Sequence, residues 1–271
     1  MVLAASPRMF ERRTGYDLEL EPLVALLAEI GYEGLELRRR QMSESSSPAD
    51  IAAAQDILRR RHVRCAYLTA AGLENEAALD DATRLLGVAL ALDSQLLRVQ
   101  LIREREISLA RKLADRAAGH GLRIISQIHT GTLFANVDLA LDTLAKIGRD
   151  NFGVAFEASH LMLDGQSEHG EEAVRRLGSH VFACFLQAYK PAPEDTQLPD
   201  AVHVPGGAWL PALPGEQGSA DIPSVFRGLK AIGFDGVVVV MPPRHPQVDS
   251  RSLARIWHDY VRKVMAKVDA E

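Results

Sequence analysis

The fold is decided by a stretch near the middle of the chain that reads IISQIH at residues 124–129 and GVAFEASH at residues 153–160. Both segments begin as apolar runs of the kind that form buried strands, and both change to polar side chains at their C-terminal ends. In α/β barrels, the carboxyl ends of the strands carry the chemistry of the site. The two segments therefore predict barrel strands whose ends deliver polar groups to one common mouth.

The same unit, a short apolar strand followed by a helix, recurs along the chain. Four valines at residues 237–240 are typical of a parallel strand that helices cover on both faces. Helical periodicity separates such strands; for example, apolar residues share one face of 20–30, and Gly31 then ends that helix. The predicted strands are 2–6, 34–37, 63–68, 96–101, 122–128, 153–157, 181–187 and 236–241, and the predicted helices are 20–30, 48–61, 76–92, 107–120, 137–147, 171–177, 222–232 and 250–268.

Eight repeats of this unit predict a closed barrel. An open doubly wound sheet would need fewer units or a second domain, and a length of 271 residues suits one (β/α)₈ barrel. We therefore predict an α/β protein with a single TIM-barrel domain over residues 1–271. Residues 190–220 are rich in proline and glycine and lack the periodicity, so they are predicted to form a long irregular loop over the barrel mouth.

Composition narrows the function classes. The chain is 47% hydrophobic and 25% charged, with a formal net charge of −5 at pH 7. A protein with a net negative charge has no excess of positive charge to attract a phosphate backbone, so nucleic acid is not an expected partner. No apolar run approaches the ~18 residues of a membrane span, and no signal-peptide pattern opens the chain. Cys65 and Cys184 lie in apolar runs and are expected to be reduced core residues. We predict a cytoplasmic protein with no membrane partner.

Further phrases extend the pattern beyond the central segments. GYEGLEL stands at residues 31–37, GSADI at 218–222 and GFDG at 233–236. Together with the central segments they resemble the xylose isomerase-like TIM-barrel superfamily, which includes sugar and sugar-phosphate isomerases and epimerases, hydroxypyruvate isomerase, inosose dehydratase and endonuclease IV. The resemblance spans nearly the whole chain, and it is more specific for the fold than for any one reaction.

The resemblance implies a divalent metal at the barrel mouth, which relatives hold with a Glu on strand five, an Asp on strand six, a His on strand seven and a Glu on strand eight. In ketose epimerases the two glutamates also move a proton on and off the carbon next to the carbonyl. In this sequence the four positions carry Gln127, Glu157, Phe185 and Met241. The histidine that follows the Asp in relatives is kept as His160. The resemblance thus implies a divergent member with a degraded metal site.

These replacements have chemical consequences. Hard divalent cations are held largely by carboxylate charge, so an amide and a thioether in place of two carboxylates should lower metal affinity steeply. Neither Gln127 nor Met241 accepts a proton near neutral pH, so the two-glutamate shuttle cannot operate unchanged. We therefore assign no cofactor to the chain. If a divalent metal (manganese, magnesium, cobalt or zinc) does bind, the expected ligands are Glu157, Gln127 and His160.

The polar group at the mouth has three interpretations. Alternate residues of a strand share a face, so His129 should accompany Gln127, and Gln187 should face the same mouth. The group could hold a soft three- or four-ligand metal such as zinc, with His203 from the loop as a further ligand. In the second interpretation, Glu157 and the histidine three residues later hydrogen-bond each other and the loop backbone without a metal. In the third, the group binds a substrate directly.

Other polar residues near the strand ends are candidates for binding a substrate. In relatives a Glu at the end of strand two touches the site, so Glu36 is one candidate, although a salt bridge with Arg38 explains the pair equally well. Lys190 could receive a carboxylate or phosphate as a point charge, and Trp209 could stack on a sugar or pin the loop to the barrel. The full predicted substrate-binding set is Glu36, Arg38, Tyr67, Gln100, Gln127, Gln187, Lys190, His203 and Trp209.

Two functions agree with these observations. The first is an isomerase or epimerase, with a lyase as a variant, acting on a small polyol, keto sugar or sugar derivative by proton transfer next to a carbonyl. Glu157 is then the base and His160 or His129 the acid or electrophile, and the pocket stabilises the developing charge. The second is a catalytically silent barrel that binds a related small molecule or partners an active paralogue. Apolar side chains at two of the metal positions favour this second function. The expected partner is a small carbohydrate-like ligand, and assembly into a homo-oligomer is left open.

Overall fold

The computed structural model describes residues 1–193, 201–204 and 207–271, and these form the predicted closed barrel of parallel strands. Its strands are β1 (Val2–Ala5), β2 (Gly34–Leu37), β3 (Arg64–Gly72), β4 (Leu96–Gln100), β5 (Arg123–Gln127), β6 (Phe152–Phe156), β7 (Val181–Leu186) and β8 (Val237–Val240). The strands follow one another around the barrel, and β1 closes it by pairing in parallel with both β2 and β8. The single α/β TIM-barrel fold predicted from the repeated unit is confirmed.

Helices connect the strands and cover the outside of the barrel. They are α1 (Leu20–Ile30), α2 (Pro48–Arg60), α3 (Glu76–Ala91), α4 (Ile107–Ala118), α5 (Val137–Ile147), α6 (Ala158–Leu163), α7 (Glu171–Leu177), α8 (Ile222–Ala231) and α9 (Ser250–Ala270). The sequence predicted a single helix between β6 and β7, whereas the structure has both α6 and α7 there. Helix α6 has six residues, too few for a helical stripe to be recognised.

Local sequence signals set the helix boundaries. At the start of α2, the side chain of Ser47 accepts from the backbone N–H of Asp50, whose carboxylate accepts from the Ser47 N–H, and Pro48 occupies the first helical position. At the end of α1, Gly31 has a left-handed φ of 110°, which residues other than glycine rarely adopt. The helix stop predicted at Gly31 is therefore explained by its backbone conformation.

The barrel interior has its own core, separate from the larger one between strands and helices. Small side chains such as Ala4 and Ala155 leave room for two large ones, Tyr67 and Phe185, whose rings stack with centroids 5.1 Å apart. Alternating small and large residues fill a barrel that is too narrow for bulky side chains at every position. The interior cluster consists of Ala4, Ala66, Tyr67, Leu96, Ile125, Ala155, Ala183, Phe185, Val239 and Met241.

Residues 190–220 differ from the predicted irregular loop. Three short strands, Tyr189–Pro191, Val202–Val204 and Gly207–Pro211, form an antiparallel sheet with the last of them in the centre. Residues 194–200 and 205–206 of the predicted loop lie outside the described residues. Two of these strands have only three residues, and the third has glycine and proline at its ends, so the sequence predicted an irregular loop instead.

Both cysteines lie in the protein core, as their apolar neighbours in the sequence predicted. Cys65 and Cys184 are buried and form no disulfide. Burial raises the pKa of the Cys65 thiol to about 12, so this side chain stays protonated and packs as a small apolar residue. Within the described parts of the chain, no helix combines the length and the apolar content that crossing a bilayer requires.

Candidate functional site

The carboxyl ends of three neighbouring strands converge on one carboxylate. Side chains alternate along a strand, so Gln127 lies on the same inward face of β5 as Ile125 of the interior core. Glu157 follows β6 and Gln187 follows β7 in the same phase, and all three side chains are buried. We call Arg8, Gln127, His129, Glu157, His160, Gln187 and Tyr189 the mouth cluster.

Glu157 is the centre of this cluster and is fully buried. The amide of Gln127 donates to one carboxylate oxygen and the amide of Gln187 donates to the other. Burial raises the pKa of Glu157 to about 7, and the two amides with Arg8 and Arg98 only partly oppose this rise. A carboxyl group with such a pKa takes up and releases a proton near neutral pH, as a general base or acid must.

Two histidines lie beside the carboxylate. His160, on α6, places Nε2 3.6 Å from a Glu157 oxygen, and its ring centroid is 3.9 Å from that of His129. Burial lowers the pKa of His160 well below its usual value, and the charges of His129 and Arg8 act in the same direction. Burial also lowers the pKa of His129, and a contact of 2.8 Å with the carbonyl of Thr130 places its proton on Nδ1. Both rings are therefore neutral at neutral pH.

Arg8 also belongs to the cluster, although it is not among the site residues that the sequence predicts. Its Nη1 donates to Gln187 Oε1 at 2.6 Å and to the carbonyl of Met241 at 3.5 Å, and its Nη2 donates to the Tyr189 hydroxyl at 3.2 Å. One feature of the sequence pointed to it: Arg8 lies four residues after Ala4 of the interior core, so in the sequence it keeps the phase of the inward-facing residues of β1. A single arginine beyond a strand end is usually solvated, so this signal was not distinctive.

The Gln187 amide links Arg8 to Glu157. Its oxygen accepts from Arg8 and from the Tyr189 hydroxyl at 3.1 Å, and its nitrogen donates to Glu157. These donors fix which end of the amide faces which partner. The guanidinium and the carboxylate are thus connected through one neutral side chain, so a change in the position of either group affects the other.

A second polar group lies at the ends of β2 and β3. Glu36 is fully buried and accepts from the Thr69 hydroxyl at 2.9 Å, and Arg38 lies 3.8 Å from the same carboxylate. Arg38 also donates to Glu11 at 2.9 Å. The pKa of the Tyr67 phenol is raised well above its usual value by burial and, next, by the Glu36 charge. The guanidinium of Arg38 is therefore compensated by two carboxylates.

The structure does not bring every predicted residue to Glu157. Gln100 is half-buried at the end of β4, where it pairs in register with β3. Lys190 forms an ion pair with Glu216 at 2.6 Å. His203 is exposed and Trp209 is half-buried, both on the three-stranded sheet. Direct contact with Glu157 is made by Gln127, Gln187 and His160 alone among the predicted residues within the described ranges.

The residues present do not fit the divalent metal that the family implies. Both oxygens of Glu157 accept hydrogen bonds from the amides of Gln127 and Gln187. The guanidinium of Arg8 donates to the oxygen of Gln187, so a positive charge already lies close to the carboxylate. The remaining two positions, Phe185 and Met241, belong to the apolar interior core. In the described part of the chain, no three His, Cys, Asp or Glu side chains are grouped so that they could hold a metal ion. A hard cation would find one carboxylate and two amide oxygens here, which is too little negative charge.

Comparisons with known proteins agree with the fold. Among solved structures, a xylose isomerase domain protein from Alicyclobacillus acidocaldarius subsp. acidocaldarius is 18% identical with a TM-score of 0.75, and 99% of each chain is covered. A xylose isomerase-like TIM barrel protein from Mycobacterium smegmatis in complex with magnesium is 14% identical, with a TM-score of 0.74 over 98% of this chain and 97% of that one.

A third similar structure is D-allulose 3-epimerase from Methylomonas sp. in complex with D-allulose, 15% identical with a TM-score of 0.68 over 97% and 96% of the two chains. At such identities the likeness shows the fold alone. The sequence has no significant match among curated proteins. A family model described as xylose isomerase-like TIM barrel matches residues 24–262, which is most of the chain. The chain therefore belongs to the xylose isomerase-like TIM barrel family.

Proposed function

We propose that this barrel catalyses proton transfer next to a carbonyl in a small polyol, keto sugar or sugar derivative, as an isomerase or epimerase or, with loss of a leaving group, as a lyase. The observation that carries the proposal is Glu157, a buried carboxyl group with a pKa of about 7 at the end of a barrel strand. Family membership and the sugar epimerases among similar structures support the substrate class.

In this reaction Glu157 removes the proton from the carbon next to the carbonyl. The electron pair of the C–H bond moves toward the carbonyl oxygen, which becomes an enolate, and the proton returns to the same or the neighbouring carbon. His160, whose Nε2 lies 3.6 Å from Glu157, polarises the oxygen as a neutral imidazole, with His129 beside it. Neutral imidazole can act as such an electrophile when its pKa is depressed.

A buried acceptor in the cluster favours a hydroxylated substrate. Gln127 donates from its nitrogen to Glu157, whereas its oxygen Oε1 is buried and accepts no hydrogen bond from the described residues. An unpaired buried acceptor costs roughly 1–3 kcal/mol, and a substrate hydroxyl would recover that free energy by donating to it. Keto sugars carry hydroxyl groups next to the reacting carbonyl, which matches this requirement.

Hydrogen–deuterium exchange tests the proposal directly. The purified protein is incubated in D₂O with a panel of small keto sugars, and loss of the proton next to the carbonyl is followed by NMR. The wild-type protein should exchange that proton, and Glu157→Gln should reduce the rate at least ~100-fold because the base is removed. Glu172→Gln is the matched control, because Glu172 is exposed on α7. Equal exchange by the wild type and Glu157→Gln would refute the role of Glu157.

The second candidate, a catalytically silent barrel, is supported by the bonding of both Glu157 oxygens to amides and by the apolar Phe185 and Met241. It predicts a different result in the same experiment. A keto sugar would raise the melting temperature of the protein by mass action, yet no proton would exchange with solvent. That pair of results would replace the enzymatic proposal by the binding one.

A further inference from the structure

Two arginines at the barrel mouth lack a carboxylate partner. Within residues 1–193, 201–204 and 207–271, neither Arg8 nor Arg98 has a carboxylate oxygen within 4.0 Å. Arg38 at the same end of the barrel has two, from Glu11 and Glu36. Arg8 and Arg98 are half-buried, so water screens their charges less than it screens a surface arginine. The charges of Arg8 and Arg98 act on Glu157 only at longer range, so the mouth has two guanidinium groups without a carboxylate in direct contact.

Arg8 is held in place by neutral acceptors and keeps donors available. Gln187, Tyr189 and the Met241 carbonyl take three of the five N–H groups of its guanidinium. Two N–H groups remain beyond these contacts. A guanidinium that is fixed in position and only partly bonded is well suited to bind an oxyanion, because little side-chain freedom is lost when the ligand arrives.

Arg98 is positioned by its interior location on β4. Its guanidinium carbon lies 5.7 Å from the centre of the Phe185 ring, a cation–π contact that uses the ring face and leaves the N–H groups unengaged. No hydrogen bond joins its side chain to any described residue. Arg98 and Arg8 both disfavour the charged form of His129 and His160, which shows that both cations act on the mouth cluster.

The two cations lie beside two uncharged residues of the interior core. Arg98 covers Phe185, and Arg8 contacts the carbonyl of Met241. Neither Phe185 nor Met241 has a charge that could compensate a guanidinium.

We propose that Arg8 and Arg98 bind an oxyanion group of the substrate, a carboxylate or a phosphate, at the barrel mouth. The inference rests on the proposed function, because it names the charged group of the substrate at that same site. The substrate class becomes a small sugar acid or sugar phosphate, and its binding requires no metal.

Calorimetric titration in the presence of EDTA tests the charge requirement. Three probes share a carbon skeleton and differ in charge: sorbitol is neutral, gluconate carries a carboxylate, and sorbitol 6-phosphate carries a phosphate. We expect at least one anion to bind ~10-fold or more tightly than sorbitol, and the preferred anion identifies the source of the oxyanion. If neither anion binds more tightly than sorbitol, or if binding appears only after a divalent metal is added, the proposal is wrong.

Variants test whether the two arginines carry this binding. Arg8→Gln and Arg98→Gln should each weaken the preferred anion about 10- to 100-fold, and Arg8→Lys should lose less than Arg8→Gln because it keeps the charge. Arg123→Gln is the matched control, since Arg123 lies 4.9 Å from the Phe182 ring near the start of β5, at the opposite end of the barrel. Circular dichroism checks folding; if Arg8→Gln does not fold, Arg98→Gln and Arg8→Lys decide. Unchanged anion affinity in these variants would overturn the proposal.

Glu157→Gln separates this inference from the proposed function. The variant should lose proton exchange and keep anion binding, because both arginines remain. Exchange on neutral keto sugars together with no preference for anions would refute the oxyanion site and leave the proposed function intact. Anion binding that depends on Arg8 and Arg98, with no exchange on neutral keto sugars or on keto sugars that carry a carboxylate or phosphate, would refute the enzymatic function and support the oxyanion site.

Discussion

At the scale of single residues, Glu157 shows burial and hydrogen bonding acting against each other. Removal from water disfavours the charged carboxylate, whereas the amides of Gln127 and Gln187 and the charge of Arg8 favour it. Burial is the larger effect, so the pKa stands near 7. If Glu157 were exposed to water and kept the same two amide donors, it would stay ionised at neutral pH. It would then hold no proton to return to the substrate.

This pKa predicts the pH dependence of stability. The pKa of Glu157 rises from 4.5 to about 7 on folding, so the folded state binds this proton more tightly than the unfolded state. Protonation of Glu157 therefore stabilises the fold fully below about pH 4.5, and this stabilisation is lost as the pH rises through 7. The free energy of unfolding of the wild type, relative to Glu157→Gln, should fall by on the order of 3 kcal/mol between about pH 4 and about pH 8. Urea unfolding at each pH measures it.

The comparison with Glu157→Gln isolates this carboxyl group. The variant loses a fixed amount of stability at every pH, because a second amide next to two amide donors leaves one N–H unpaired. The buried histidines titrate in both proteins and cancel from the difference. A difference in unfolding free energy that stays constant over the whole pH range would show that Glu157 is not perturbed by burial.

The sequence predicted part of the site from the alternation of side chains along strands. Gln127, Glu157 and Gln187 follow apolar runs in the correct phase, so their meeting at one mouth could be foreseen. Arg8 could not, because it lies in a short helical turn after β1 (Pro7–Phe10), where the alternation of the strand has ended, and its side chain reaches Gln187 after β7 and Met241 after β8. A long flexible side chain that reaches across the mouth leaves no periodic signal in sequence.

At the scale of elements, strand β6 has to pass very close to β7 before it delivers Glu157. A Cβ atom at Gly153 would lie 2.5 Å from the backbone oxygen of His180 and 2.6 Å from the Phe182 ring. The pairing of β6 with β7 also shifts register between Val154 and Ala155. Glycine at this position therefore permits the approach that sets the height of Glu157 in the barrel.

Alanine at this position should be costly. Gly153→Ala is expected to lower the free energy of unfolding by about 2 kcal/mol or more, because a backbone oxygen cannot move aside as a flexible side chain can. Gly87→Ala is the matched control: Gly87 is exposed inside α3 with nothing within 4 Å of an added Cβ, and alanine there should stabilise by ~0.5–1 kcal/mol. Denaturant unfolding of both variants gives the comparison, and equal effects would contradict the crowding argument.

The repeat of strand and helix predicted all eight barrel strands, including β1, β2 and β8 with four residues each, because predicted helices flank them. The boundaries of the predicted strands and helices differ from the observed ones by a few residues, whereas elements outside this repeat were not predicted. Helix α6 and the three-stranded sheet are built from segments of three to six residues. Tertiary contacts, such as the bond from the Ser159 hydroxyl to the Gln187 carbonyl at 2.5 Å, position these short elements.

At the scale of the whole molecule, the barrel interior is divided between an apolar core and a polar mouth. Tyr67, Phe185 and Met241 close the core just below the mouth cluster. A metal site needs several negative charges, and the side chains of Phe185 and Met241 supply none at this level of the barrel.

Thermal unfolding tests the consequence for the whole fold. A ligand that binds the folded state alone raises the melting temperature in proportion to the logarithm of its concentration over Kd. Saturating magnesium, manganese, cobalt or zinc should shift the melting temperature of the EDTA-treated protein by less than ~1 °C, because the donor set lacks charge. A large shift that Glu157→Gln abolishes would show that a metal binds at the mouth after all.

The hydroxyl that bonds Arg8 belongs to the first residue of the three-stranded sheet, because Tyr189 pairs with Pro211 there. One side chain thus serves two structures, the three-stranded sheet and the fixed cation. The phenol is one of three groups that hold the guanidinium, so the position of this cation is tied to the position of the first strand of the sheet.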